Sequence, residues 1–303
     1  MRLIVAIGGN ALLKRGDTLG IGEQRRNMGE AASAIAGLAR EHELVLVHGN
    51  GPQVGLLALE ADAYKGAPPY PLDVLGAESQ GMIGYVIEQA MRKALPERDV
   101  VTVLTQTLVD PDDPAFANPV KPIGPVYDEQ TARALAAERG WSVAPDGPGG
   151  KVWRRVVASP APRRIVELGA IRHLVESGCL VICAGGGGIP VLPGEGGAVE
   201  GVEAVIDKDL GACLLATDLE ADGLLILTDV DGVYEGWGTP GQARIETVSA
   251  RSLDPASFAL GSMAPKIEAV RNFALASGCP AFIGALDQAA DILSGRSGTR
   301  IDP

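Results

Sequence analysis

Two lysines stand where helices ordinarily avoid them. Lys208 follows Asp207, a side chain suited to cap a helix, and Lys266 follows Pro265, a residue suited to a helix's first turn. Helix dipoles favour anions at the N-terminus, so each placement is unfavourable by about 0.3–1 kcal/mol at an exposed site. An anion bound at the same helix ends reverses that sign, because phosphate oxygens accept hydrogen bonds from amides and ammonium groups together. The plainer alternative is a solvated surface cation at each position. Asp209, beside Lys208, can orient a lysine, hold a hydrated Mg²⁺, or serve only as an N-terminal helix acid. A third lysine, Lys121, lies in Asn118-Pro-Val-Lys-Pro-Ile-Gly-Pro125. Prolines stiffen this stretch into a loop able to hold a cation over a cleft, although taken alone it reads more simply as a surface turn.

Other phosphate chemistries lack their residues. There is no GxxxxGK[ST] loop, no kinase-type glycine loop with its catalytic aspartate, and no Ser–His–Asp pattern. What remains is phosphoryl transfer by positioning and charge neutralisation, which requires lysines, amides and Mg²⁺ but no covalent nucleophile.

Three glycine-rich stretches are expected to meet beside these lysines: Gly8-Gly9-Asn10, His48-Gly49-Asn50-Gly51-Pro52 and Gly185-Gly186-Gly187-Gly188. Each follows an apolar run, at residues 3–7, 43–47 and 180–183, and precedes a segment that can be helical. That order describes a parallel α/β sheet whose strands end in tight turns. Ligands of such sheets bind outside the carboxyl ends of the strands. Glycine lets the backbone approach a ligand, and helix-start amides favour anions, so this edge reads as a site for something small and negative. The bland alternative is three ordinary βα turns.

The remaining elements follow from periodicity. Strands are expected at 2–7, 43–47, 100–105, 179–184, 224–228 and 280–284, and helices at 23–41, 73–95, 163–177, 207–218, 265–277 and 287–293. The pattern is a doubly wound α/β fold. Residues 110–162 interrupt it with prolines and glycines, and read as an inserted subdomain or lid. Within them a helix capped by Asp128 is expected to reach Arg139, and residues 151–157 to form a strand or hairpin. No composition break marks a linker, so the two halves are expected to share one sheet.

The chain has 303 residues, 46% hydrophobic and 21% charged, which is the composition of a large globular unit. The net charge of −12 argues against nucleic acid as a partner, because binding a phosphate backbone requires a basic face. No apolar stretch reaches the length of a membrane span, and the N-terminus enters a strand without signal-peptide architecture, so the expected location is cytoplasmic. Cys179, Cys183, Cys213 and Cys279 form no CxxC pair and are expected to be reduced and buried. His42, His48 and His173 have no metal-ligand spacing, and His48 reads as a hydrogen-bonded strand-end residue rather than a base.

In this order the motifs strongly resemble those of the carbamate kinases of the amino acid kinase superfamily. They are Ile7-Gly-Gly-Asn-Ala-Leu12, Val47-His-Gly-Asn-Gly-Pro-Gln-Val-Gly55, Lys121-Pro-Ile-Gly-Pro125, Arg154-Arg-Val-Val157 with Ser159-Pro160, Gly185-Gly-Gly-Gly-Ile-Pro-Val191, Glu203-Ala-Val-Ile-Asp-Lys-Asp209, Leu227-Thr-Asp-Val-Asp231 and Gly261-Ser-Met-Ala-Pro-Lys266. The resemblance runs nearly the whole chain, and the ordered set is far more specific than any one motif. It implies a three-layer αβα sandwich with a central, mainly parallel sheet and a protruding subdomain at about 115–160. Residues 1–200 would form a carbamate-binding lobe and 201–303 a nucleotide-binding lobe. The implied reaction is reversible: ATP and carbamate give ADP and carbamoyl phosphate, run backward to make ATP in arginine and carbamoyl phosphate catabolism. Mg²⁺ would accompany ATP or ADP, with at most a water-mediated link to Asp209, and the enzyme would be a cytoplasmic homodimer.

Carried across by motif, Lys208 and Lys266 would neutralise the transferring phosphoryl group, Asp209 would orient them, and Lys121 would reach the carbamate. Gly8, Gly9, Asn10, Gly49, Asn50 and Gly51 would hold substrate oxygens. Gly186, Asp229, Val230, Tyr234, Met263, Ala264 and Pro265 would lie near the nucleotide, with Lys208 and Lys266. Two residues depart from the family pattern. Gly211 stands where alanine is usual and is expected to loosen its helix by about 1 kcal/mol. Ala264 replaces a common glycine, which matters if the position requires positive φ. The alternatives are a sister phosphotransferase such as acetylglutamate kinase, from which Lys121 and the insertion separate it, or a catalytically weak nucleotide sensor.

Overall fold

A computed structural model describes residues 1–9, 12–14, 17–18, 20–258 and 263–303. In chain order the first half comprises β1 (Arg2–Ile7), α1 (Ile21–Glu41), β2 (Glu43–His48), α2 (Gly51–Ala63), α3 (Leu72–Ala94), β3 (Val100–Thr102), β4 (Gln106–Val109), β5 (Lys121–Tyr127), α4 (Glu129–Arg139), β6 (Ser142–Asp146) and β7 (Val152–Val157). The second half continues with β8 (Pro162–Ile165), α5 (Leu168–Glu176), β9 (Leu180–Ile182), β10 (Ile189–Pro193), β11 (Val199–Gly201), α6 (Lys208–Asp218), β12 (Gly223–Thr228), β13 (Val233–Glu235), β14 (Ala243–Ile245), β15 (Thr247–Ser249), α7 (Ala264–Ser277), β16 (Ala281–Ala285), α8 (Ala289–Leu293) and β17 (Thr299–Asp302).

Eight strands form one sheet in the order β15-β17-β16-β12-β1-β2-β9-β3, parallel except where β17 meets β16. Strands from both halves of the chain therefore share it, as the sequence predicts. The strand β1 is buried on both faces, so its side chains divide between two cores. Ile4 and Ala6 pack with Ile171, Leu215 and Phe273 from α5, α6 and α7. Leu3, Val5 and Ile7 pack with Met28, Ile87 and Ile292 from α1, α3 and α8. This is the three-layer sandwich, and burying near-continuous apolar strands on both sides is what a parallel sheet requires.

Four expectations need correction. The strand expected at 100–105 stops at Thr102. The Gln80 side chain takes the Thr105 amide at 2.8 Å, and the chain passes into a second sheet of order β11-β10-β4-β8. The helix expected at 163–177 begins only at Leu168, because 162–165 pair with β4. Lys121 is not in a loop: it opens β5 and pairs with Val157 of β7. Cys183 is buried, but Cys179, Cys213 and Cys279 are half-buried; all four are unbonded.

The insertion holds a three-stranded sheet, β5-β7-β6, with α4 packed on β7. Asp128 caps α4 through the Thr131 amide at 2.8 Å, as its sequence predicts. Main-chain contact at its base, Val205 N–H to Ala158 O at 3.0 Å, leads directly into the segment before α6.

Candidate active site

The strand ends bring the turns together. The Gly49 amide donates to Ile7 O at 3.1 Å, and the Gly8 amide to Leu227 O at 3.0 Å, so three adjacent strands hand their turns to one rim. A cavity of about 220 Å³ opens there, lined among others by Gly9, Gly49, Asn50, Gly51, Gly186 and Pro265. Lys121, Asp207, Lys208, Asp209 and Lys266 line it too. Gly8 lies on the adjoining larger cavity of about 930 Å³, with Asp229, Val230 and Trp237. The two cavities therefore meet at the Gly8-Gly9 turn. Asn10, and Gly261-Ser262 ahead of α7, lie outside the described residues.

Both helix-start lysines are where the sequence predicts them. Lys208 is the first residue of α6, and Lys266 is the third of α7. They do not point into solvent. Lys208 Nζ bonds Asp209 Oδ1, and Lys266 Nζ reaches Asp209 Oδ2 at 3.0 Å. Their side chains are 12% and 16% exposed and that of Asp209 4%, so the solvated-cation alternative is excluded. In the protein itself the anion that tolerates these lysines is Asp209, a role the sequence argument left to a ligand.

Electrostatics follow from this packing. Burial alone would raise the Asp209 carboxyl, but the Lys208 and Lys266 ammonium groups overcome it and hold the group at about 2. Burial lowers the Lys208 ammonium below the usual lysine range, with Asp209 opposing and Lys266 adding to the effect. His48 is lowered to about 4 by burial, against the Gly49 carbonyl 3.1 Å from its Nδ1. It is a neutral, structural imidazole at neutral pH.

Lys121 arrives from the subdomain. Its Nζ bonds Asp207 Oδ2, while Asp207 Oδ1 caps α6 through the Asp209 amide at 2.8 Å. Asp207 was legible as a cap; its pairing with a lysine 86 residues away was not.

A buried polar network shapes the four-glycine turn, and sequence reasoning missed it. Gln80 Nε2 donates to Thr105 O at 3.1 Å and to Gly185 O at 3.0 Å. Thr105 Oγ1 accepts the Ala184 amide at 2.9 Å, and Thr107 Oγ1 donates to Gly187 O at 3.1 Å. These bonds hold Ala184 at φ 49°, strain of the kind that collects at functional sites. The available signal was Ser79-Gln80, a polar interruption between the apolar positions Leu75 and Ile83 of α3. Gly186 itself, at φ 65°, leaves no room for a Cβ, which would lie 2.3 Å from Asn50 Nδ2.

Other expected nucleotide residues are placed less directly. Tyr234 and Met263 line neither cavity: the Tyr234 hydroxyl donates to Asp231 at 2.8 Å, and Met263 packs on the core. The Tyr234 ring meets Trp237 edge-on at 5.2 Å, and Trp237, absent from the expected set, does line the larger cavity. Ala264 is the first residue of α7 and is buried, so it has helical geometry and the concern over positive φ falls away. Gly211 does not loosen α6: a Cβ there would lie 2.6 Å from Gly187 Cα, so its missing side chain lets α6 pack onto the turn.

A mainly parallel sheet with glycine turns and buried lysines at its carboxyl edge fits a nucleotide-dependent phosphotransferase. The Amino acid kinase family model matches residues 1–285, and the chain belongs to that family. It is 51% identical over 302 residues to the carbamate kinase of Haemophilus influenzae, covering 99% of this chain and 96% of that protein. It is 48% identical over 314 residues to the carbamate kinase of Pyrococcus horikoshii, covering 100% and 99%. Among solved structures, the carbamate kinase from Giardia lamblia bound to AMP-PNP is 42% identical, with a TM-score of 0.89 and coverage of 99% and 98%. Isopentenyl phosphate kinase from T. acidophilum, 14% identical with a TM-score of 0.58, shares only the fold.

Proposed function

We propose that this chain transfers a phosphoryl group reversibly between ATP and carbamate, giving ADP and carbamoyl phosphate. The observation that carries the reading is the convergence of Lys208 and Lys266 on Asp209 at the glycine rim, faced by Lys121 from the subdomain. Full-length likeness to carbamate kinases from bacteria and archaea supports the choice of acceptor.

In this reading carbamate lies in the smaller cavity, its oxygens held by amides of Gly9 and of Gly49 to Gly51 and by Lys121. The nucleotide occupies the larger cavity beside Asp229, Val230 and Trp237, with its phosphates reaching across Gly8 toward Gly186 and Pro265. The phosphoryl group moves in line: a carbamate oxygen bonds the γ-phosphorus as the P–O bond to ADP breaks and ADP leaves as an anion, and in the reverse step a β-phosphate oxygen of ADP bonds the phosphorus as carbamate leaves. Lys208 and Lys266 meet the charge on the equatorial oxygens, where fixed cations in a desolvated site act most strongly. Asp209 aims them and limits the charge of the empty site. No general base is needed, because the acceptor is already ionised, and neutral His48 has no part in the step.

Magnesium fits this site as a companion of the nucleotide. Both Asp209 oxygens are engaged by lysines, and among the described residues no three His, Cys, Asp or Glu side chains gather as a metal cage. When bound, the ion would neutralise phosphate charge and fix its geometry. The same reading divides the chain into a carbamate lobe, 1–200, and a nucleotide lobe, 201–303. It places the protein in the cytoplasm as a homodimer, in arginine and carbamoyl phosphate catabolism. Exposed Tyr85 on α3 and Leu104, just beyond edge strand β3, offer apolar surface for a second copy. Among the described residues no helix is long and apolar enough to cross a membrane.

The test is ATP formation from ADP and carbamoyl phosphate, run beside acetylglutamate with ATP. Turnover with the first pair alone is expected. Turnover with acetylglutamate alone would make it a sister kinase, and nucleotide binding without either activity would make it a sensor.

A further inference from the structure

Among the described residues, Lys121 is the one cation of the rim that the main sheet's helices do not supply. It stands at the start of β5, whose sheet packs on α2 and α3 through Ile123 and Val157 against Val54, Leu72 and Leu75, and its four-carbon stem has no fixed direction of its own. We propose that Asp207 is the dock that sets Lys121 over the reacting group, a positioning role separate from its cap of α6. The inference rests on the reaction proposed above and adds a residue to it.

The two oxygens of Asp207 have different partners. Oδ1 takes the amides of Asp209 at 2.8 Å and Leu210 at 3.4 Å, which fixes the carboxylate in the first turn of α6. Oδ2 is thereby turned toward the cavity, where it receives Lys121 Nζ. The Asp207 side chain is 13% exposed and that of Lys121 32%, so solvent screens the pair only in part. Because Asp207 directly precedes Lys208, one turn of backbone fixes both the dock and the first catalytic cation. The subdomain's lysine is thus registered against α6 directly, in addition to the packing of β5 on α2 and α3. The resulting row contains three ammonium groups, Lys121, Lys208 and Lys266, and two carboxylates, Asp207 and Asp209. It carries one net positive charge before substrate enters, which suits a dianionic phosphoryl group.

Asp207→Asn separates the two roles. Asparagine caps a helix about as well as aspartate, so the amide bonds survive while the charged dock is lost. The expected result is a rise of about tenfold in KM for carbamoyl phosphate, as for loss of a charge-assisted hydrogen bond, with KM for ADP and the melting temperature unchanged. Asp207→Ala, which loses the cap as well, should also melt lower. Combining Asp207→Asn with Lys121→Ala should cost no more than Lys121→Ala alone, because both remove one interaction. Wild-type KM in Asp207→Asn, an equal rise in KM for ADP, or losses that multiply in the double variant would overturn the dock while leaving the reaction intact. A wild-type chain without turnover of carbamoyl phosphate would overturn both.

Discussion

Two ways of presenting an ammonium group meet in one cavity. Lys208 and Lys266 rise from helices packed on the eight-stranded sheet, share a single carboxylate and are 12% and 16% exposed. Lys121 comes from a separate three-stranded sheet, has its own carboxylate and is 32% exposed. The first pair is fixed before any ligand arrives; the second depends on how the subdomain meets α6. Preorganised charge suits the transition state, whereas a cation on a separate sheet suits capture of the small acceptor. In the proposed reaction, equal charges in one site would divide the work by the rigidity of what carries them.

The comparison is most severely strained by removing the shared carboxylate. Asp209→Asn leaves two buried ammonium groups without a counter-charge and is expected to cost about 3–5 kcal/mol, measured by urea unfolding. The sign with pH follows from the depressed carboxyl. Its contribution is full above the ordinary carboxyl value of 3.8 and is lost as pH falls toward about 2, so the wild type should weaken through that window and the variant much less.

The next effect belongs to the subdomain. Lys121→Ala should raise KM for carbamoyl phosphate by about 10–100-fold, equivalent to roughly 1.4–2.7 kcal/mol, with a smaller change in kcat. Steady-state kinetics in both substrates would show it, and a pure kcat loss would move Lys121 into the class of the buried pair. Gly211→Ala probes the packing beneath that pair. Overpacking against Gly187 should cost about 1–3 kcal/mol in thermal or urea unfolding, the reverse of the gain expected for a loose helix. The smallest effect is an absence: with its pKa at about 4, His48 should add no limb to the pH–rate profile between pH 6 and 7. A limb there that vanished in a His48→Gln variant would contradict its assignment as structural.

The same contrast separates what was legible in the sequence from what was not. The main sheet was readable because β-branched runs such as Leu3-Ile-Val-Ala-Ile7 end in glycine turns, and parallel strands buried on both faces carry that signature locally. The lysines at 208 and 266 were readable because cap and proline signals are local too. The strand β5 was hidden by Pro122 and Pro125, which suppress a strand reading, and its register comes from β7, some thirty residues on. Pro162–Ile165 looked like the start of a helix until β4 took it into a sheet. The Gln80–Thr105–Thr107 network and the Lys121–Asp207 pair join residues remote in sequence, and no local propensity encodes them.

The buried lysine pair carries the central claim, and turnover of ADP with carbamoyl phosphate by Lys208→Ala and Lys266→Ala tests it most directly. Both variants should bind ADP and keep cooperative unfolding while kcat falls by about 10²–10³, the scale for removing one preorganised charge contact. Folded variants with near-normal kcat would contradict the account.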